Sequence, residues 1–210
     1  MPLPPPIRRA LHLVAVLTAC GLTATVTAQT FAGYVTAGPT FSQVDGDMLA
    51  GYNHAGAYAG LGVYLDLADR WRTSLAISYA QGGSKASAAE TLRQRSIYDN
   101  ITLDYVAVPV GIHYMDWLSA DEFFYHLEFV FAAEYRRLIR GEAIDVGGAE
   151  FTDLPFRDNS VGATLGAWYA WSLDWAAGIH YARGLVGATA DATDASLLTQ
   201  RLSLQLRYTF

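Results

Sequence analysis

The last ten residues, Arg201-Leu202-Ser203-Leu204-Gln205-Leu206-Arg207-Tyr208-Thr209-Phe210, decide the reading of this chain. Leu202, Leu204, Leu206, Tyr208 and Phe210 fall on one parity. Arg201, Ser203, Gln205, Arg207 and Thr209 fall on the other. Successive side chains of a strand point to opposite faces, so this period of two predicts a strand with one apolar and one polar face.

The same pattern recurs upstream. Trp71, Thr73, Leu75, Ile77 and Tyr79 alternate with Arg72, Ser74, Ala76 and Ser78. Phe123, Tyr125, Leu127, Phe129, Phe131, Ala133 and Tyr135 alternate with a face carrying His126, Glu128, Ala132, Glu134 and Arg136. Five further segments fit less cleanly: 31–43, 54–67, 100–114, 159–171 and 175–187. In 100–114, Asp104 interrupts the apolar parity, and Pro109 cannot donate a ladder hydrogen bond, which predicts a bulge or irregularity there.

Eight strands are therefore predicted, and the links between them alternate in length. Ala68-Asp69-Arg70 and Ser172-Leu173-Asp174 are short and 115–122 is intermediate, whereas 44–53, 83–99, 139–158 and 188–197 are long. Short turns on one side and long loops on the other are the pattern of outer-membrane barrels. Aromatics crowd the short-link side (Tyr64, Trp71, Tyr114, Trp117, Phe123, Tyr125, Trp171, Trp175, Tyr208, Phe210), with Phe41, Tyr79, Tyr98 and Tyr135 at the far ends. Two aromatic bands flanking an apolar belt mark the two interfaces of a membrane. In lipid every backbone polar group must be paired within the protein, and a closed sheet has no open edge. The expected fold is an all-β, eight-stranded antiparallel up-and-down transmembrane barrel, with both ends on the short-turn, periplasmic side. A soluble barrel with its apolar face turned inward is the alternative.

Composition agrees. Hydrophobic residues make up 52% of the 210 and charged residues only 16%, with 13 Tyr, 9 Phe, 5 Trp and 19 Gly. Ordinary soluble domains carry roughly 25% charged residues. No apolar run after the N-terminus approaches the roughly 20 residues of a transmembrane helix. At the N-terminus, Arg8 and Arg9 precede an apolar stretch, Leu11 to Leu22, and a small-residue site, Val26-Thr27-Ala28. This reads as a secretory signal peptide over 1–28, with the barrel domain over 29–210. Its removal takes away two arginines and no acid, moving the formal charge from −6 to −8, a poor balance for binding nucleic acid. Cys20, the single cysteine, lies in Leu17-Thr18-Ala19-Cys20, which looks like a lipobox; the Ala28 site is the better cleavage point.

Three pieces carry a family resemblance. Gly60-Leu61-Gly62-Val63-Tyr64-Leu65-Asp66-Leu67 with Asp69-Arg70-Trp71 looks like a family hairpin. Leu103-Asp104-Tyr105-Val106-Ala107-Val108-Pro109-Val110 resembles a strand with an interior proline, and the third piece is the C-terminal segment ending at Phe210. Together they resemble the small outer-membrane β-barrel proteins of Gram-negative bacteria, the porin-like eight-stranded group. The resemblance implies residence in the outer membrane among its lipids, and a terminal Phe210 read by the barrel-assembly machinery. It implies no single activity.

The candidate site is the inward polar set: Arg72, His126, Glu128, Glu134, Arg136, His180, Arg201, Gln205 and Arg207. A small barrel fills its interior with side chains, and buried charges there must pair. A plugged lumen with a structural or surface-binding role is expected; a narrow ion path is the alternative. A lipid-acting enzyme would need a nucleophile, a base and an orienting group. Ser74, Ser78, Ser160, Ser203, His113, His126 and His180 are available, with no Gly-x-Ser-x-Gly elbow among them. No cofactor or metal is expected, although Asp45-Gly46-Asp47 and Asp191-Ala192-Thr193-Asp194 carry oxygen ligands of the kind Ca²⁺ takes. The basic residues of 83–99 (Lys85, Arg93, Arg95) and the charges of 139–158 (Arg140, Glu142, Asp145, Glu150, Asp153) are candidate contacts for lipid heads or surface partners.

Overall fold

A computed structural model describes residues 31–93, 98–119, 124–149, 156–189 and 197–210, with the side chains of 91–93 not described. The signal peptide and Cys20 lie outside these residues, as do Phe123, Arg95, Glu150, Asp153 and the 191–194 stretch.

Eight strands form: β1 (Phe31–Asp45), β2 (His54–Ala68), β3 (Trp71–Lys85), β4 (Tyr98–Leu118), β5 (Tyr125–Asp145), β6 (Asn159–Ala170), β7 (Trp175–Gly184) and β8 (Leu198–Thr209). One short helix, α1 (Ala88–Arg93), lies between β3 and β4. Each strand pairs antiparallel with the next, and β8 pairs with β1 to close the barrel. Phe210 exchanges backbone hydrogen bonds with Gly33 at that seam, at 3.0 and 2.8 Å.

Alternation fixes which face is outward. Leu75 and Ile77 are more than half exposed, while Ala76 and Ser78 between them are buried. Val110, Ile112, Phe129, Phe131, Leu165, Ile179, Leu204 and Leu206 are likewise exposed. An apolar exterior around a polar interior is the inverse of a soluble barrel. From Trp71 to Tyr79 the β3 belt rises roughly 20 Å along the normal at a tilt of about 40°. Trp71 packs on Tyr114 and Trp175 on Tyr208, at 5.0 and 4.9 Å between ring centroids, at the short-turn rim.

Several expectations need correcting. Tyr64 is not part of that rim: its parity turns it inward, where it is fully buried against Tyr34 at 4.3 Å. Tyr98 packs against the interior apolar cluster rather than standing in the outer aromatic band. At Pro109 the expected irregularity takes the form of a gap in one ladder, without a bulge. The ladder to β5 is unbroken there, and the β3–β4 pairing merely skips Val108 and Pro109 before resuming in the same register. The proline presents its missing N–H to one neighbour only. The register of β4 on β5 shifts elsewhere, between Asp104 and Tyr105, where β5 skips Ile139, and between Tyr98 and Asn100. β4 and β5 each run 21 residues, so Arg140, Glu142 and Asp145 lie on a strand extension and not in a loop. β7 ends at Gly184, three residues before the predicted end.

Candidate functional site in the barrel lumen

The inward faces of β3, β4, β5 and β8 bring one carboxylate to the half of the lumen nearer the short turns. Glu128 takes hydrogen bonds from Arg72 (Nε to Oε1 at 3.3 Å, Nη2 to Oε2) and from Arg207 (Nη2 to Oε2, 2.8 Å). His113 Nδ1 lies 2.5 Å from Oε1, off the line a ring N–H hydrogen bond needs. Arg207 also donates to Tyr64 Oη at 2.7 Å, and its guanidinium lies over the Trp168 ring. Arg72 stacks over Tyr64 at 3.8 Å. Below this layer a vestibule of about 530 Å³ opens toward the short turns, with Asp66, Met115 and Thr209 on its wall.

Above it, Arg201 stands 3.9 Å from Glu134, which also accepts from Thr164 Oγ1 at 3.4 Å. Thr36 donates to Gln205 Oε1 at 3.1 Å, and Gln205 donates to Ser203 Oγ at 2.8 Å. Arg136 donates to Thr199 Oγ1 and to the Val161 carbonyl. Between the two levels lies a cavity of about 60 Å³ touched by Tyr34, Ser74, His113, Trp168, His180 and Arg201. Toward the long-loop end of the interior, Val44, Ile101, Leu103, Tyr105, Ala143, Ala188 and Leu197 form an apolar cluster with Leu138 and Phe156.

Of the predicted set, Arg72, Glu128 and Arg207 meet directly; Glu134 and Arg201 meet more loosely. His180 packs edge-on against Trp168. Lumen-facing glycines make these contacts possible: a Cβ on Gly178 would lie 2.5 Å from the Trp168 ring, and one on Gly166 would collide with His180. His126 does not join the network. It sits at the rim among Trp117, Phe124 and Tyr169, with Nδ1 2.9 Å from the Ala170 carbonyl oxygen.

The inward polar set read from the sequence leaves out His113, Ser74, Tyr34 and Tyr64, although Ser74 and His113 are weighed there as parts of an enzyme site. Their inward parity was the available signal. Ser74 Oγ lies 2.8 Å from His113 Nε2, so Ser74, His113 and Glu128 form a chain in the order nucleophile, base, carboxylate. Ser74 is buried beside a cavity that holds only a few water-sized molecules, and the His113–Glu128 contact is off-axis.

Outside the membrane belt, Asp45 and Asp47 do not converge. Asp45 accepts from Gln43 and Gln200, whereas Asp47 turns inward and accepts from the Leu49 N–H at 2.9 Å. Burial raises the Asp47 carboxyl above its ordinary range. Among the described residues no three His, Cys, Asp or Glu side chains gather as a metal cage.

No family model matches the chain, and no curated protein matches it. Solved structures do. Ail, the attachment invasion locus protein of Yersinia pestis, aligns over 85% of this chain and 98% of its own at 13% identity, with a TM-score of 0.51. Neisserial surface protein A aligns over 86% and 97% at 13% identity, with a TM-score of 0.48. The N-terminal β-barrel domain of Pseudomonas aeruginosa OprF aligns over 87% and 99% at 7% identity, with a TM-score of 0.43. Strand number, closure, an apolar exterior and the match to Ail agree: this chain has the fold of the small eight-stranded outer-membrane β-barrels.

Proposed function

We propose that the protein resides in the outer membrane as an integral barrel whose lumen is closed by its own side chains, and that its role is structural or one of surface binding at the outer loops. The single observation that carries this is the stacking of the interior: the Glu128 layer, the Glu134–Arg201 layer and the apolar cluster at the outer mouth. Export by the 1–28 signal peptide, assembly through Phe210 and a surround of outer-membrane lipids complete the reading.

Outer features support surface binding. The loop after β1 is latched to α1, where Ala50 N–H donates to Glu90 at 2.8 Å, and Glu90 also receives the Ser87 N–H and hydroxyl in a capping box. On that braced loop Met48 is 77% exposed, with a left-handed φ of 65°. Exposed apolar and strained residues on a fixed loop are where contacts with partners concentrate.

Planar-bilayer recording of the refolded protein tests the closed lumen. Flat current traces at several hundred millivolts are expected; reproducible unitary steps would replace this reading with a passive channel. The lumen serine is expected to resist fluorophosphonate probes. Labelling that disappears in Ser74→Ala would instead make the Ser74–His113–Glu128 chain an acyl-transfer site.

A further inference from the structure

Among the described residues, the charges in the middle of the lumen do not balance. Arg72, Arg136, Arg201 and Arg207 face Glu128 and Glu134, an excess of two positive charges with the histidines neutral. Of the remaining acids, Asp66 is on an inward parity but exposed at the vestibule rim, while Asp47 and Asp104 are buried on other partners, the Leu49 N–H and the Tyr79 hydroxyl. The excess lies away from Glu128. Arg136 is 3% exposed and hydrogen-bonds only neutral oxygens. Among the described residues, Arg201 has its nearest carboxylate oxygen at 3.9 Å, and the Nε of each of these two arginines has no acceptor. A buried, uncompensated charge is costly, and a wall bathed in hydrocarbon offers no lateral water to screen it.

The missing counter-charge has a place to sit. Arg201 borders the 60 Å³ cavity together with Tyr58, His180, Ser203 and Gln205. About 10–15 Å³ of such space holds one water, so the cavity has room for a monatomic anion with one or two waters. Two neutral residues with donor capacity to spare line it as well. His180 Nδ1 has no partner. Ser203 Oγ accepts from Gln205, which leaves its own hydroxyl hydrogen free to donate. Glu134 is on the same wall and opposes an anion, which favours a single negative charge over sulfate or phosphate.

We propose that this cavity binds one small monovalent inorganic anion, of chloride size, against Arg201. The inference rests on the closed-lumen reading above, which the bilayer recording tests separately. The probes are sodium chloride and sodium bromide against sodium gluconate at equal ionic strength, applied to the folded full-length mature chain in detergent. The temperature at which the compact gel band is lost should rise saturably with chloride or bromide and not with gluconate. Crystals grown in bromide should show an anomalous peak beside Arg201. Arg201→Gln should remove the halide dependence. Glu134→Gln, which deletes the opposing charge, should move half-saturation to a several-fold lower halide concentration, and it keeps the test open if Arg201→Gln does not fold. Equal stability in all three salts, a bromide-free cavity, or weaker halide dependence in Glu134→Gln would each overturn the proposal.

Discussion

Replacing Glu128 with Gln should be the most damaging isosteric change in the barrel. The carboxylate is buried and receives both Arg72 and Arg207, with His113 in contact. Gln keeps the volume and removes the charge, leaving two guanidiniums without a counter-ion. Breaking a buried pair in this way costs about 3–5 kcal/mol. Both arginines border the vestibule, but Arg72 is the more exposed of the two and can turn toward water more readily than Arg207. The expected loss therefore sits near the lower end, about 3 kcal/mol, a factor of roughly 150 in the folded-to-unfolded ratio. Changing both partners, as Glu128→Met with Arg207→Met, removes the stranded charge and should recover at least about 1 kcal/mol of that loss. The assay is reversible urea unfolding in lipid vesicles, followed by tryptophan emission and by the folded gel band. A Glu128→Gln loss below about 1 kcal/mol, or a double variant less stable than the single one, would refute the view that this cluster is the lumen's structural tie.

Three other changes probe separate parts of the account. Gly166→Ala places a methyl group on the His180 ring and should cost about 1–3 kcal/mol in the same titration, with His180→Ala relieving most of it. Leu204→Arg, on the lipid face, should cost about 2–4 kcal/mol in vesicles, because the charge meets hydrocarbon near the midplane. Deleting Phe210 removes the backbone pair with Gly33 at the closing seam; the folded fraction recovered from membranes should fall, and an unchanged yield would contradict a role for that residue in closure or assembly.

The fold was legible because its periodicity is a direct image of the physics. β8 and the start of β3 alternate without interruption, since one face meets lipid and the other a polar lumen. The strand ends were less legible. β4 and β5 continue past the membrane, where neither lipid nor lumen demands alternation, so Arg140 and Glu142 read as loop. The polar network was half legible. Arg72, Glu128 and Arg207 announce themselves as charges on an inward parity. Tyr64 does not, because an aromatic near a short turn reads as part of the interface band until its parity is followed. His113 stood out only as a candidate base, because the partner that ties it to the network, Glu128, lies on the neighbouring strand. The apolar cluster of Ile101 and Leu103 had no local signal at all. These residues share the inward parity with His113 and owe their apolar surroundings to Phe156, Ala188 and Leu197, which are distant in sequence.

The central claim is a closed barrel embedded in the outer membrane, and mobility of the outer-membrane fraction on a denaturing gel, with and without boiling, tests it most directly. The account predicts a faster, compact band in the unboiled sample that converts to the slower unfolded band on heating. A single band at one position in both samples, with the protein recovered in the soluble periplasmic fraction, would contradict it and turn the apolar face inward as the lining of a soluble barrel.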